Sequence, residues 1–275
     1  MARFSLGFRG TTHGFTRKEI MEIAEHITVM AQEARRLSAA AEQGGLDVEI
    51  PTCPGWDMRE LLRHLSMIHL WAAGHVAQLH DESWGDDLTE LTEFWPGLAD
   101  FWPDDENLID WYLETNANLV RVLESAPPDV EAWTFLPAPS PLAMWARRQA
   151  HETAVHRFDA ENAVGIESEF DPTLASDGID ELLAAFAPRK KEFPIETAKT
   201  MVVHAEDTGD RWHLTLAPEG ITTVRGDGPA DATLTGDASD LYLTLWNRRE
   251  DSSITVSGDS EVLDKWHGNV RVRWS

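Results

Sequence analysis

Apolar residues recur at three-and-four spacing from Thr16 to about Gln43, through Ile20, Ile23, Ala24, Ile27, Ala31, Ala34, Leu37 and Ala41. That is the stripe of an amphipathic helix, and Gly44-Gly45 ends it. An extended stretch, Val48 to Cys53, leads to a Pro54-Gly55 turn, after which Asp57 is placed to cap a second helix running to about His80. The inner stripe of that helix is Leu61, His64, Leu65, Ile68, Trp71 and Ala72. Asp81 to Glu106 is acidic, carries Trp84, Trp95 and Trp102, and is broken by Pro96 and Pro103, so it reads as a long connection and a candidate lid. A third helix is expected over Leu108 to Glu124 and, after the proline-rich run Pro127 to Pro141, a fourth from about Leu142 to Ala163. The pattern predicts a four-helix bundle over residues 16–165, preceded by an extension, residues 1–15, with no recognisable pattern.

Beyond Gly165 the periodicity shortens. Thr200 to Ala205, Trp212 to Ala217, Ile221 to Arg225 and Ala232 to Thr235 are β-formers separated by Asp/Gly/Pro turns, and predict a small antiparallel sheet. Asp237 to Trp246 and Asp259 to Trp266 read as helices opened by Gly-Asp pairs whose carboxylates would cap the first turn, with a strand Ser253 to Val256 between them. Residues 166–275 are therefore expected to form a second, α+β domain, and the whole chain an α+β protein.

Composition narrows the partners. The 275 residues carry 48 Asp and Glu against 23 Lys and Arg, a formal net charge of -25, which repels nucleic acid and anionic membranes. No apolar run reaches the roughly 18 residues of a membrane span and no signal-peptide core opens the chain, so a cytoplasmic protein is expected, monomeric or homodimeric. The single cysteine, Cys53, excludes an internal disulfide and a cysteine-based zinc site. A metal would have to be held by His and carboxylate side chains.

One segment carries such chemistry. In His151-Glu152-Thr-Ala-Val-His156-Arg157-Phe-Asp159 the histidines are five apart, not the four of a zincin motif, and at about 100° per residue they diverge by roughly 140°. Glu152 and His156, four apart, share a face and can converge on one ion, and Asp159 continues that face. The stripe Trp145, Gln149, Glu152, His156, Asp159 and Ala163 is opposed by Arg147, His151, Ala154, Phe158 and Glu161, and periodicity alone leaves open which of the two is inward. His64, in the middle of an apolar stripe, is the candidate third ligand from a second helix. His69, His75 and His80 are expected on the surface or behind the site. Cys53, with no basic neighbour in sequence, reads as a buried structural thiol. Neither a P-loop nor a strand-borne GxGxxG supports nucleotide binding.

Pro51-Thr52-Cys53-Pro54-Gly55-Trp56, Leu61-Leu62-Arg63-His64-Leu65, and the segment from His151 to Asp159 together resemble the mycothiol-dependent maleylpyruvate isomerase family of actinobacteria. The likeness extends to Leu234-Thr-Gly236-Asp237-Ala-Ser-Asp240-Leu, Leu245-Trp246-Asn-Arg248 and Val256-Ser-Gly258-Asp259. The resemblance implies a DinB-like metal-binding bundle followed by a C-terminal domain similar to sterol carrier protein 2 (SCP2-like). It implies zinc, or another divalent metal, on His64, Glu152 and His156, with Asp159 close by and an arginine of the C-terminal domain, best matched by Arg248 with Arg249 adjacent, reaching the site. Where the family has Leu-Trp-Gly-Arg this chain has Asn247 in place of the glycine. The activity implied is that of a mycothiol-dependent isomerase or S-transferase acting on a small electrophile, with mycothiol as thiol cosubstrate. Asp159 would orient His156 or hold Arg157. The alternatives are a hydrolase using zinc-bound hydroxide, with Asp159 or Glu152 as proton acceptor, and a non-enzymatic small-molecule binder.

Overall fold

The computed structural model describes residues 21–79, 81–82 and 103–272. Four long helices come first: α1 (Ile23–Gly44), α2 (Met58–Ala77), α3 (Leu108–Ser125) and α4 (Pro141–Ala163). Two of them, α2 and α4, begin where a side chain satisfies free first-turn amides. Asp57 accepts from Glu60 N while Glu60 returns a bond to Asp57 N, a capping box for α2. Ser140 caps α4 with Pro141 at its first position. Helix α1 packs along α4 and α3, and α2 along α3 and α4.

A short helix α5 (Pro172–Asp180), absent from the sequence reading, follows and runs without a break into a π-helical turn, Glu181–Phe186. Strands β1 (Lys199–Ala205), β2 (Arg211–Ala217), β3 (Gly220–Arg225), β4 (Ala232–Gly236) and β5 (Thr255–Gly258) form one sheet in the order β3-β2-β1-β4-β5, with α6 (Ala238–Leu245) and α7 (Glu261–Asn269) around it. The sheet is mixed rather than antiparallel throughout: β1 and β4 pair parallel, Val203 opposite Leu234. Four strands in sequence cannot reveal that β4 crosses to the far side of β1, because pairing is a non-local choice. The cap expected of Asp237 is also absent; Ala238 N donates instead to Asp207 Oδ1. Asp259 does accept from Glu261 N, 3.2 Å away.

The core of the sheet region does not stop at the bundle. Ala154, Val155 and Phe158 of α4 belong to the same buried cluster as Leu174, Leu214, Leu234, Tyr242 and Trp266. Trp145, Ala146 and Ala150 of α4 pack on the other side with Trp71 and Leu119. Helix α4 is therefore buried all round, which explains why its two polar faces looked alike in sequence. Both are interior, and every charge on them needs a partner. Among the described residues no helix is long and apolar enough to cross a membrane.

Candidate metal centre

The segment before α2 is tied into a compact loop by Ile50 N to Trp56 O (2.9 Å), Cys53 N to Ile50 O (3.0 Å) and Trp56 N to Cys53 O (3.0 Å). Gly55 turns at φ 89°, a left-handed value that suits glycine. This loop lays Thr52, Cys53 and Trp56 against α4, with the Trp56 ring 4.9 Å from that of His64 and 6.2 Å from that of His156.

Beneath Trp56, His64 Nε2 lies 3.2 Å and His156 Nε2 3.4 Å from Glu152 Oε1. All three side chains are buried, and their donor atoms lie within 4.8 Å of one another. A tetrahedral zinc ion with bonds of about 2.0 Å has donors about 3.3 Å apart, so the spacing and the two-imidazole, one-carboxylate set suit such an ion. The expected residues of α2 and α4 are thus brought together, and His151, as its angular offset requires, is not among them. His69 and His75, expected on the surface or behind the site, are buried in the bundle. His69 Nε2 meets Thr153 Oγ1 at 3.1 Å, and burial holds its pKa at about 3. His75 stacks on Trp145, 5.2 Å between ring centres. His80 and the tryptophans Trp84, Trp95 and Trp102 lie outside the described residues.

The surroundings set the protonation of the trio. Burial pushes His64 below its ordinary value, towards neutral imidazole. Burial acts likewise on His156, but hydrogen bonds with Asp159, Cys53 and Glu152 outweigh it and hold that ring well above its ordinary value. Burial would raise Glu152, yet His156, His64 and Arg148 keep it well below the usual carboxylate range. The pocket between two carboxylates is an electrostatic well for positive charge, whether proton or metal ion.

Asp159 is the junction. Its Oδ2 accepts from His156 Nδ1 (2.8 Å) and from Cys53 Sγ (3.3 Å), and its Oδ1 from Thr52 Oγ1 (2.5 Å). Arg248 grips both oxygens, Nε to Oδ1 at 2.8 Å and Nη2 to Oδ2 at 3.0 Å. Burial would raise the Asp159 pKa, but Arg248 and His156 hold it far below the ordinary carboxylate value. Donation of His156 Nδ1–H to Asp159 presents Nε2 to the shared pocket, the arrangement usual behind a metal-bound histidine. Arg157, the other expected partner of Asp159, is instead bound to Glu33 (2.5 Å) and Glu161 (2.7 Å). The reason is angular: two residues short of Asp159, it points to α1.

Arg248 reaches the site because α6 ends in a Schellman motif. Arg248 N donates to Leu243 O (2.8 Å) and Asn247 N to Thr244 O (3.0 Å), with Asn247 at φ 59°. Asparagine is among the few non-glycine residues that adopt this conformation readily. Here it adds Nδ2 to Val270 O (2.9 Å) and a contact with His267 Nδ1 (2.7 Å), so the turn survives the loss of the family's glycine. Arg249 turns away to Asp240 and Ser168 O. Cys53 is half-buried rather than fully buried, and its basic neighbour, Arg248 Nη2 at 3.9 Å, comes from 195 residues away.

The sequence reading missed Arg148 and Glu181. Arg148 is fully buried; its Nη2 donates to Glu152 Oε2 (3.1 Å) and its Nη1 to Glu181 Oε2. The spacing of Arg148 and Glu152, i and i+4, was a usable signal; nothing in sequence pointed to Glu181. Also missed was a second cluster, where Asp177 Oδ2 accepts from His151 Nε2 (2.7 Å), Arg147 Nε (2.9 Å) and His26 Nε2 (3.0 Å), and Tyr242 Oη donates to His151 Nδ1 (3.1 Å).

Among curated proteins none matches the sequence. The mycothiol maleylpyruvate isomerase N-terminal domain matches residues 28–161, and the companion MDMPI C-terminal domain matches residues 173–265. In fold, the chain is similar to the crystal structure of a mycothiol-dependent maleylpyruvate isomerase, with a TM-score of 0.58 at 13% identity over 86% of this chain and 93% of that one. A histidine-to-alanine mutant of such an isomerase gives a TM-score of 0.59 at the same identity and coverage. The two domain matches together take in most of the chain, which belongs to the mycothiol-dependent maleylpyruvate isomerase family.

Proposed function

We propose that this protein is a metal-dependent enzyme that uses mycothiol as cosubstrate to act on a small electrophile, by cis–trans isomerisation of maleylpyruvate or by transfer of the thiol. The observation that carries the reading is the meeting of His64, Glu152 and His156 at donor spacings of 3.2 and 3.4 Å, beside an arginine supplied by the other end of the chain. A divalent ion, zinc by donor type, would be held by those three side chains and would supply the Lewis acidity that brings a bound thiol to thiolate at neutral pH.

Charge supports the choice of an anionic sulfur. Three buried carboxylates, Glu152, Asp159 and Glu181, face two guanidiniums, Arg148 and Arg248. A divalent cation together with one thiolate would leave that set neutral, the cheapest state for a desolvated pocket. The protein's own part is placement. Asp159 keeps the His156 proton on Nδ1. Arg248, only partly buried while its partner is fully buried, would meet the carboxylate of the electrophile. In isomerisation the sulfur forms a C–S bond at one carbon of the cis double bond while the electron pair moves to the conjugated carbonyl oxygen. The former double bond rotates, and the electrons return as the C–S bond breaks. The enolate between these steps is the species Arg248 would stabilise.

The test is zinc content and turnover together. Wild type is expected to hold one zinc per chain and to convert maleylpyruvate only with mycothiol, whereas His64→Ala and His156→Ala, which remove ligands themselves, lose about nine-tenths or more of both, since even lost partners of ligands cost about 10- to 100-fold. Equal zinc in all three proteins would overturn the assignment, and zinc-dependent turnover indifferent to the thiol would favour hydrolysis.

A further inference from the structure

Arg148 is a cation with no access to water, enclosed by three different parts of the chain. One arm reaches Glu152 Oε2 at 3.1 Å and another reaches Glu181 Oε2. The guanidinium carbon sits 5.2 Å from the centre of the Phe186 ring and 5.3 Å from that of Trp246. Arginine is the residue that suits such a place, because its planar cation can donate in its plane to two carboxylates while its faces stack on rings. Glu181 and Phe186 open and close the π-helical turn, and π-turns place side chains that an α-helix of the same length would point elsewhere.

The two oxygens of Glu152 are thereby given different tasks. Oε1 is the atom shared by His64 and His156, and Oε2 is committed to Arg148. We infer that Arg148, anchored by Glu181, is a positioning residue that holds Glu152 as a one-oxygen donor aimed at the His64/His156 pocket, so that metal loading of the bundle depends on the docking of the C-terminal part of the chain. This deepens the metal reading above and rests on it. The geometry is two-sided: Arg248 reaches His156 through Asp159, and Glu181 reaches Glu152 through Arg148, so both donors of α4 are held from beyond the bundle.

The test compares wild type, Arg148→Met, Arg148→Lys and Glu181→Gln. Zinc affinity is measured by competition with a chromophoric chelator, and the coordination by the visible absorption of the cobalt(II)-loaded proteins. Circular dichroism and urea unfolding of each apoprotein identify the folded fraction to which affinity is referred. Arg148→Met is expected to weaken zinc 10- to 100-fold, the range for lost partners of metal ligands, and to change the cobalt spectrum as the freed second oxygen joins the ion. Arg148→Lys, which keeps the charge without the fork, falls between, and Glu181→Gln, which keeps an oxygen to accept from Arg148 while Glu152 still balances its charge, weakens zinc several-fold. A merely structural role moves the urea midpoint and leaves affinity per folded molecule and the spectrum alone. Zinc binding within twofold of wild type in both Arg148→Met and Glu181→Gln, with unchanged cobalt spectra, overturns the inference. A wild type that binds no zinc overturns the metal reading itself, and this inference with it.

Discussion

Two buried clusters of nearly the same composition sit on opposite faces of α4. His64, Glu152 and His156 place two imidazoles around one carboxylate oxygen, and so do His26, His151 and Asp177. The difference lies in what else reaches that oxygen. Around Glu152 Oε1 the imidazole nitrogens stand 3.2 and 3.4 Å away, wide for hydrogen bonds and right for the edges of a metal's coordination shell. Around Asp177 Oδ2 they stand 3.0 and 2.7 Å away, and the guanidinium of Arg147 adds Nε at 2.9 Å. Three donors, one of them the fixed positive charge of Arg147, already occupy that oxygen, so a cation there would be repelled. The spacing of the first cluster suits an ion, while the second is a hydrogen-bonded clamp joining α1, α4 and α5 to Tyr242 of α6. Gly178 allows the closeness: a β-carbon there would collide with the Tyr242 ring and with His151 Nδ1. Donor identity does not separate a candidate metal site from a structural network; spacing does, and so does whether a competing cation takes the shared oxygen, as Arg147 does at Asp177, or the other one, as Arg148 does at Glu152.

The contrast can be broken at the clamp. Asp177→Ala, which strips the shared acceptor from three buried donors, is expected to cost about 3–5 kcal/mol of folding stability while zinc stays at one per chain. Urea unfolding and metal analysis of the same sample check both, and loss of zinc with unchanged stability would reverse the two roles.

Acid should find the clamp as well. Burial lowers the folded pKa of His151, so its contribution is present at neutral pH and is lost as pH falls from the unfolded value, about 6.5, towards the folded one. Asp177, held well below its ordinary value by His151, His26 and Arg147 against the effect of burial, contributes above about pH 4 and loses that only as pH falls further, through its folded pKa. His151→Gln should therefore flatten the decline of stability between pH 6.5 and 4.5 by up to one proton, about 1.4 kcal/mol per pH unit. Urea midpoints over that range with identical slopes in the two proteins would remove His151 from the account.

The smallest effect sharpens the comparison most cleanly. Tyr242→Phe removes one donor from His151 Nδ1 without altering charge or much volume, and should cost about 1–2 kcal/mol with zinc affinity unchanged. A change in zinc affinity would mean that the two faces of α4 are coupled rather than separate.

Local periodicity and capping made the four helices, the β-rich tail, and the convergence of Glu152 and His156 on one face of α4 legible from sequence, because each is decided within about ten residues. His64 stood out as a polar residue within the apolar stripe of its helix, the resemblance supplied Arg248, and the left-handed turn that aims Arg248 holds because Asn247 tolerates it. What the chain did not disclose is long-range. The parallel pairing of β1 with β4, the burial of His69 and His75, the basic neighbour of Cys53, and the partners of Arg148 and Arg157 all depend on segments tens to hundreds of residues apart. A helix buried on every side gives no amphipathic signal, so α4 could not announce that both of its polar faces were interior. Only packing decided which face became the candidate metal site and which the clamp, since that depends on where other side chains spend their charge.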